Sequence, residues 1–306
     1  MNDLNMSYIH CNNDISYRFS EHYRELLKAQ IVEPFRDAKP NVASLYDQPD
    51  FKGINYLQKN ILKRGSTDFD VPTDDEQFGF FTPRDKVLFY SADYLAMHLC
   101  SSYHIYRTCL IPQRAILECS QIVFIDYGCG PLTSGMAFWN ASGQRNITYI
   151  GVDISNNMLN KAREINRNSP DGNPYFKDIY FTQNYQAVPE FLKNIEKSNP
   201  LDILYVFNFC YVLANITFIG YVGSFINVLQ DAIQSSIDSK VCIINQNPVG
   251  IKSYWNELRN EVTDYPYFPS MSFAEENGTE KYKYEVLMLN RESQLINVQY
   301  NMLYNW

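Results

Sequence analysis

No stretch of this sequence approaches the ~20 consecutive apolar residues of a membrane helix. The start, Met1-Asn2-Asp3-Leu4-Asn5, has neither the basic residues nor the apolar run of a secretory signal. The seven cysteines are odd in number and include no CxxC pair, so neither a disulfide framework nor a zinc site is expected. Reduced thiols in a cytoplasmic protein are the expectation. There is no internal repeat, no low-complexity tract, and no Ser-His-Asp or metal-ligand pattern that would nominate a general base or a metal. Positive charge is also short: Lys and Arg number 26 against 34 Asp and Glu, a formal net charge of −8. Such a chain lacks the overall footprint of a protein that grips many phosphates. Its densest basic run, Arg18, Arg24, Lys28, Arg36, Lys39, Lys59, Lys63 and Arg64, is interleaved with Glu21, Glu25, Glu33 and Asp37, the pattern of a solvated helix face.

What is present is an ordinary apolar fraction, 45%, and many aromatic residues, 24 Tyr and 19 Phe, which suit both cores and aromatic-lined pockets. A length of 306 residues holds one large domain, or a catalytic domain with a smaller companion. The first part reads as helical. Ser20 caps a helical pattern running to Ile31, residues 66–76 form a polar loop, and 85–108 is a long helix candidate. From Gln121 the texture changes to alternation. Strands are expected at 122–126, 148–153, 178–182, 201–207 and 240–245, with helices at 133–140, 156–167, 218–235 and 255–262 between and after them. Two adjacent strands, 282–289 and 295–303, joined by Asn290-Arg291-Glu292-Ser293, close the chain as a hairpin. Alternating βα units require crossovers and hence a parallel sheet with helices on both faces, and ligands of such sheets sit beyond the carboxyl ends of the strands.

The first strand ends in Asp126-Tyr127-Gly128-Cys129-Gly130, a glycine turn in which the backbone bends sharply and a ligand can approach closely. The second ends in Gly151-Val152-Asp153-Ile154-Ser155, one βαβ unit later, the spacing at which a carboxylate meets a ribose. A dinucleotide fits less well. The third glycine of GxGxxG is replaced by Thr133, and Asp126 would repel a pyrophosphate. This constellation resembles the class I S-adenosylmethionine-dependent methyltransferase family over roughly residues 121–245, with the terminal hairpin matching the family's last antiparallel strands. One departure is Leu132, where the family often has a further glycine that sets how closely helix and strand pack.

The resemblance implies a Rossmann-like α/β fold: a mostly parallel seven-stranded sheet with an antiparallel terminal hairpin, preceded by a helical N-terminal subdomain. The boundary falls between residues 1–118 and 119–306. It implies adenosylmethionine as cofactor, S-adenosylhomocysteine as product, and no metal. Asp126, Tyr127, Gly128, Cys129, Gly130, Asp153, Ile154, Gln183, Asn184, Asn208 and Phe209 are the expected cofactor residues. Asn208 and Tyr211 are the catalytic candidates, because Asn208-Phe209-Cys210-Tyr211 keeps two of four residues of the Asn/Asp-Pro-Pro-Tyr motif of amino-methylating enzymes. Phe80, Phe81, Tyr90, Tyr94 and Tyr211 are the expected acceptor pocket, whereas His98 and His104 read as ordinary helix residues. The acidic charge favours a small-molecule acceptor over RNA or DNA. A binding protein that senses adenosylmethionine or scaffolds partners without catalysis is the alternative of a different class.

Overall fold

Ile122, Val123, Phe124 and Ile125 are apolar without alternation, and all four are buried, as a strand covered on both faces must be. They form the centre of β5 (Gln121–Tyr127). The structure is a computed structural model and describes residues 6–11, 14–47, 52–63, 66–109, 119–143, 146–169, 172–198, 203–213, 222–235, 240–250, 254–263, 273–284, 287–288 and 294–305. Around β5, the strands β6 (Ile147–Val152), β7 (Asp178–Thr182), β8 (Ile203–Cys210) and β9 (Lys240–Pro248) lie parallel in the order β9-β8-β5-β6-β7. β10 (Ala274–Tyr284) and β11 (Gln294–Asn305) pair antiparallel, and β11 inserts antiparallel beside β9. These are the seven strands expected, in a Rossmann-like arrangement.

The sheet is longer than seven strands. Among the described residues it has nine, because β1 (Met6–Cys11) and β2 (Asp14–Phe19) form a hairpin whose β2 runs parallel to β10. The helical reading of this region missed a period of two: Tyr17 and Phe19 are buried while Arg18 between them is exposed. Helix α1 (Glu21–Leu27) is capped by Ser20, whose Oγ accepts from Tyr23 N at 3.2 Å. It continues through a π-turn, Lys28–Val32, into α2 (Glu33–Ala38), which carries Pro34 in its first turn, where the missing N–H costs least. The short α3 (Pro40–Ala43) and α4 (Lys52–Asn60) follow. A small hairpin comes next, β3 (Thr73–Asp75) with β4 (Gly79–Phe81), part of it inside the segment read as loop.

The long helix α5 (Pro83–Thr108) starts at a capping box in which Asp85 N donates to Thr82 Oγ1 at 3.1 Å and Thr82 N donates to Asp85 Oδ2 at 2.9 Å. With α6 (Thr133–Ser142) and α7 (Asn156–Asn166) it covers one face of the sheet. There Phe124, Met136, Leu159, Leu95 and Tyr23 share a single apolar cluster. Helices α8 (Val188–Ser198), α9 (Val222–Ser235) and α10 (Trp255–Thr263) cover the other face over Val123, Ile125, Phe207 and Ile243. Buried Lys161 ties the N-terminal segment down, donating to Gln30 O at 2.6 Å and Glu164 Oε1 at 2.8 Å. The subdomain boundary expected at residue 118 falls in 110–118, outside the described residues.

Two strands run further than their sequence suggests. β8 extends to Cys210 and β9 to Pro248, so Asn208, Phe209 and Cys210 lie within a strand and not after it. β10 begins at Ala274, eight residues before the expected start, because its polar residues alternate exposure in an antiparallel edge region. The connecting residues 290–293 lie outside the described residues. Chain order reverses between β5 and β8, where Asp126 and Asn208 are register partners. This is the switch point at which open α/β sheets bind ligands.

Candidate functional site

The glycine turn is latched to the end of β6. Gly128 N and Cys129 N both donate to Val152 O, at 2.8 and 3.1 Å. Gly128 has φ +67°, a conformation that favours glycine, and a Cβ there would crowd Val212 Cγ2 at 3.0 Å. Gly130, with φ +50°, is different: a Cβ added to it would meet nothing within 4 Å. Its surface is open. Gly130 N donates to Asp153 Oδ2 at 3.0 Å and Ser155 N donates to Oδ1 at 2.9 Å, so each oxygen of the half-buried Asp153 keeps a free acceptor position. Burial pushes its carboxyl up to about 6, although these two amides pull the other way.

Leu132, the departure noted in the sequence, occupies the left-handed region with φ +68° and is fully buried. The close helix–strand approach lies at Gly135 instead, where a Cβ would meet the Tyr149 ring at 2.7 Å. Left-handed backbone costs a leucine about 1–2 kcal/mol, which its burial offsets. Leu132→Ala is therefore expected to cost about 3 kcal/mol. Leu132→Gly is expected to cost about 1 kcal/mol less than that, because glycine alone relaxes the strain. Urea midpoints of the two variants check this; a glycine variant less stable than the alanine variant contradicts it.

Asp126 does not reach into open space. Its side chain is fully buried, with Oδ2 accepting from Tyr149 OH at 2.7 Å and Oδ1 from Asn208 Nδ2 at 2.8 Å. Asn208 Oδ1 accepts in turn from Tyr106 OH of α5 at 2.7 Å, so a buried chain of hydrogen bonds joins α5, β8, β5 and β6. Burial raises the Asp126 carboxyl to about 7, against the lowering effect of these two donors. Asn208 thus positions Asp126, with both ends of its amide engaged.

Tyr90, Tyr94 and His98 stand at i, i+4 and i+8 on α5, partly exposed, and form a row with Tyr211. His98 stacks on Tyr211 at 4.1 Å and on Tyr94 at 5.8 Å, while Tyr90 meets Tyr94 at 5.2 Å and Phe69 at 5.3 Å. Burial pulls the imidazole of His98 down to about 3, so it is neutral near pH 7. Tyr211 has φ +63°, a strained conformation for an aromatic residue. It is held there by its own N–H on Gln246 O at 2.8 Å, with its hydroxyl 3.2 Å from Ser101 Oγ. Burial raises the Tyr90 phenol, with smaller contributions from neighbouring groups that include Cys210, Tyr94 and Asp153. Phe69 and His98 were not in the expected pocket. The four-residue spacing of Tyr90, Tyr94 and His98 was the available signal.

The other expected residues divide. Ile154 is 78% exposed beside Asp153, and Gln183 Nε2 donates to Ile154 O at 2.7 Å. Asn184 uses its side-chain oxygen to accept from Gln186 N at 3.0 Å. Cys129 is buried, its thiol pushed well up by burial. The rings of Tyr127 and Phe209 stack on each other at 5.0 Å within the core on the opposite face. Phe80 is 54% exposed and Phe81 is buried beneath Lys39, with no described ring contact joining either to the row. Three of the basic run form ion pairs: Lys28 with Glu25 at 3.3 Å, Arg36 with Asp47 at 3.9 Å and Lys39 with Asp85 at 3.8 Å. Arg64 lies outside the described residues.

Asp70 closes one side of the site. Its carboxylate accepts from Ser155 Oγ at 2.8 Å, Asn156 N at 2.9 Å, Asn157 N at 3.0 Å and Asn157 Nδ2 at 2.7 Å, capping the start of α7 from 85 residues away or more. Burial raises its carboxyl, but the donors of Asn157, Asn156 and Ser155 outweigh this and leave it below the usual range. A depressed carboxyl stabilises the fold above its unfolded value and loses that contribution as pH falls through the folded one. That window lies below about pH 4. Asp70→Ala is expected to cost about 1 kcal/mol and to speed hydrogen exchange at the amides of Asn156 and Asn157. Unchanged exchange there contradicts the tether.

Among the described residues no helix is long and apolar enough to cross a membrane. Six cysteines, Cys100, Cys109, Cys119, Cys129, Cys210 and Cys242, are buried free thiols. No protein-family model matches the chain, and no curated protein does. Solved structures to which it is similar include a precorrin 8W decarboxylase from Methanobacterium thermoautotrophicum, at 12% identity, covering 65% of this chain and 88% of that one with a TM-score of 0.39. Another is the magnesium protoporphyrin IX methyltransferase of Synechocystis PCC 6803 with bound SAM, at 12% identity, 81% and 93% coverage and a TM-score of 0.36. A third is the plantazolicin methyltransferase BpumL in complex with SAH, at 14% identity, 92% and 100% coverage and a TM-score of 0.34. Likeness this distant says nothing of what the present chain binds; the strand order and the residues at the switch point carry the reading that follows.

Proposed function

We propose that the chain is a class I S-adenosylmethionine-dependent methyltransferase whose cofactor lies across the carboxyl ends of β5, β6 and β8. The observation that carries this reading is Asp153, held by Gly130 N and Ser155 N with acceptor capacity to spare beside the open face of Gly130. A ribose offers two hydroxyl donors to such a carboxylate. Exposed Ile154 offers an apolar surface to an adenine, with Gln183 and Asn184 beside it. Buried Asp126 places negative charge under the switch point, which favours a cationic ligand. Phosphates would lie near the carboxylates of Asp153 and Asp70, with Asp126 buried behind them, which disfavours a dinucleotide.

Adenosylmethionine supplies a methyl group already activated on a sulfonium. The protein's task is then alignment of the acceptor and exclusion of water. Residues 1–118 serve this as a cap, α5 bringing Tyr90, Tyr94 and His98 against Tyr211. Strained Tyr211 flanks the acceptor, and Asn208 acts by fixing Asp126. The stack of His98 on Tyr211 leaves no space between the two rings, and this favours a second reading: a cofactor-binding sensor with a plugged acceptor site.

Thermal unfolding with adenosylmethionine, S-adenosylhomocysteine, NAD and ATP tests the reading. The first two, at about 100 times their dissociation constants, should stabilise by about 3 kcal/mol, and the phosphate ligands should not. Stabilisation by NAD or ATP alone overturns the assignment. Methyl transfer to any acceptor excludes the sensor.

A further inference from the structure

The outer edge of the sheet carries a second feature that the cofactor site does not use. β7 is the last strand, paired on one side with β6, and between it and the helices α7 and α8 runs a groove of about 410 Å³. That is within the size range of small-ligand sites. Edge strands are ordinarily blunted by lysine, proline or inward charge. This one instead exposes Tyr180, 43% accessible and stacked on Phe191 at 5.4 Å with 29° between the rings. Two arginines line the same edge from the opposite face of the sheet. Arg163 on α7 and Arg167 at its C-cap stand four residues apart, and the Arg163 guanidinium lies 5.3 Å over the Phe181 ring. In a chain of net charge −8, the groove's lining includes these two cations and no carboxylate.

We propose that this groove binds single-stranded nucleic acid, a base stacking on Tyr180 while Arg163 and Arg167 take the flanking phosphates. Aromatic faces accept any base, and arginine pairs with phosphate through a planar fork while its stem still packs on a ring. The groove also leads somewhere. Its upper wall is Phe181, and the next residue, Thr182, accepts from Asp153 N at 3.2 Å through its carbonyl. A strand lying along β7 therefore arrives at the mouth of the candidate cofactor site. The purpose assigned here, presenting a nucleotide as methyl acceptor, rests on the methyltransferase reading; binding in the groove does not. It also departs from the inference drawn from overall charge, because a net value averages over the surface and the groove's lining holds two arginines.

The experiment is fluorescence anisotropy of the full chain with a labelled single-stranded RNA of about 20 nucleotides, and with DNA of the same sequence, between about 50 and 200 mM salt. Cofactor titration and thermal melts on the same preparations run beside it. Wild type is expected to bind and to weaken with salt. Arg163→Ala with Arg167→Ala should reduce the slope of log K against log salt by about 1.4. Tyr180→Ala, an exposed change, should weaken binding about tenfold and leave that slope alone. No binding at low salt by protein that still binds adenosylmethionine overturns the groove and spares the cofactor site. Equal binding by wild type and both variants, or equal competition by poly-glutamate, also overturns it. Groove-dependent RNA binding by a chain that takes no cofactor would sustain this proposal and end the methyltransferase reading.

Discussion

Asp153→Ala is expected to lower affinity for adenosylmethionine and S-adenosylhomocysteine at least 100-fold while leaving the protein folded. Two losses combine. The carboxylate that would take the ribose hydroxyls disappears, and hydrogen bonds to a charged acceptor are worth about 1.5–3 kcal/mol each. The amides of Gly130 and Ser155 also lose the partner that latches the glycine turn to the end of β6. The two amides of Gly128 and Cys129 on Val152 O remain, so the turn persists and the melting temperature falls only modestly. Calorimetric titration of both ligands checks affinity, and circular dichroism checks the fold. Undiminished binding by the alanine variant removes Asp153 from the site.

Asp126→Asn is expected to stabilise the unliganded protein at pH 8 and to weaken adenosylmethionine binding tenfold or more. Burial raises the carboxyl from 3.8 to about 7. An acid whose folded value lies above its unfolded one adds stability that is complete below the unfolded value and lost as pH rises to the folded one. The wild type should therefore lose on the order of 4 kcal/mol between pH 4 and pH 7 from this residue alone. Asp153, raised to about 6, acts in the same direction over a narrower window. An amide at 126 can still accept from Asn208 and donate to the Tyr149 hydroxyl, so the buried chain survives without the charge. Its stability advantage over wild type should grow by about 2–3 kcal/mol from pH 5 to pH 8. Urea unfolding across that range tests the sign. A constant difference would mean that Asp126 is not titrating within the fold.

These two carboxylates were legible in the sequence because each stands at the carboxyl end of a short apolar strand, and the register partner of Asp126, Asn208, lies across the switch point. The direction of the Asp126 side chain was not legible. Its partners, Tyr149, Asn208 and through Asn208 the phenol of Tyr106, come from three other elements, and only the folded sheet brings them together. Asp70 was hidden for the same reason, caught in a polar loop and capping a helix far along the chain. The N-terminal hairpin was missed although Ile15, Tyr17 and Phe19 alternate, because the stronger helical pattern after Ser20 dominated the reading. Leu132, at the position where the resemblance leads one to expect glycine, has φ +68°. The close approach the family assigns to a glycine there falls on Gly135, three residues later and beneath the Tyr149 ring. In the aromatic row, three members share one helix face and could be spaced out by eye, whereas Phe69 and Tyr211 arrive from a loop and a strand end.

Calorimetry of the purified chain with adenosylmethionine and S-adenosylhomocysteine, in two pH 7 buffers of different ionisation enthalpy, tests the central claim most directly. A bound sulfonium stabilises the ionised carboxylates beneath it, so adenosylmethionine should bind with release of about half a proton and its product, whose thioether sulfur is neutral, with less. Failure of folded protein to bind either ligand would contradict the account and leave a Rossmann-like fold serving some other partner.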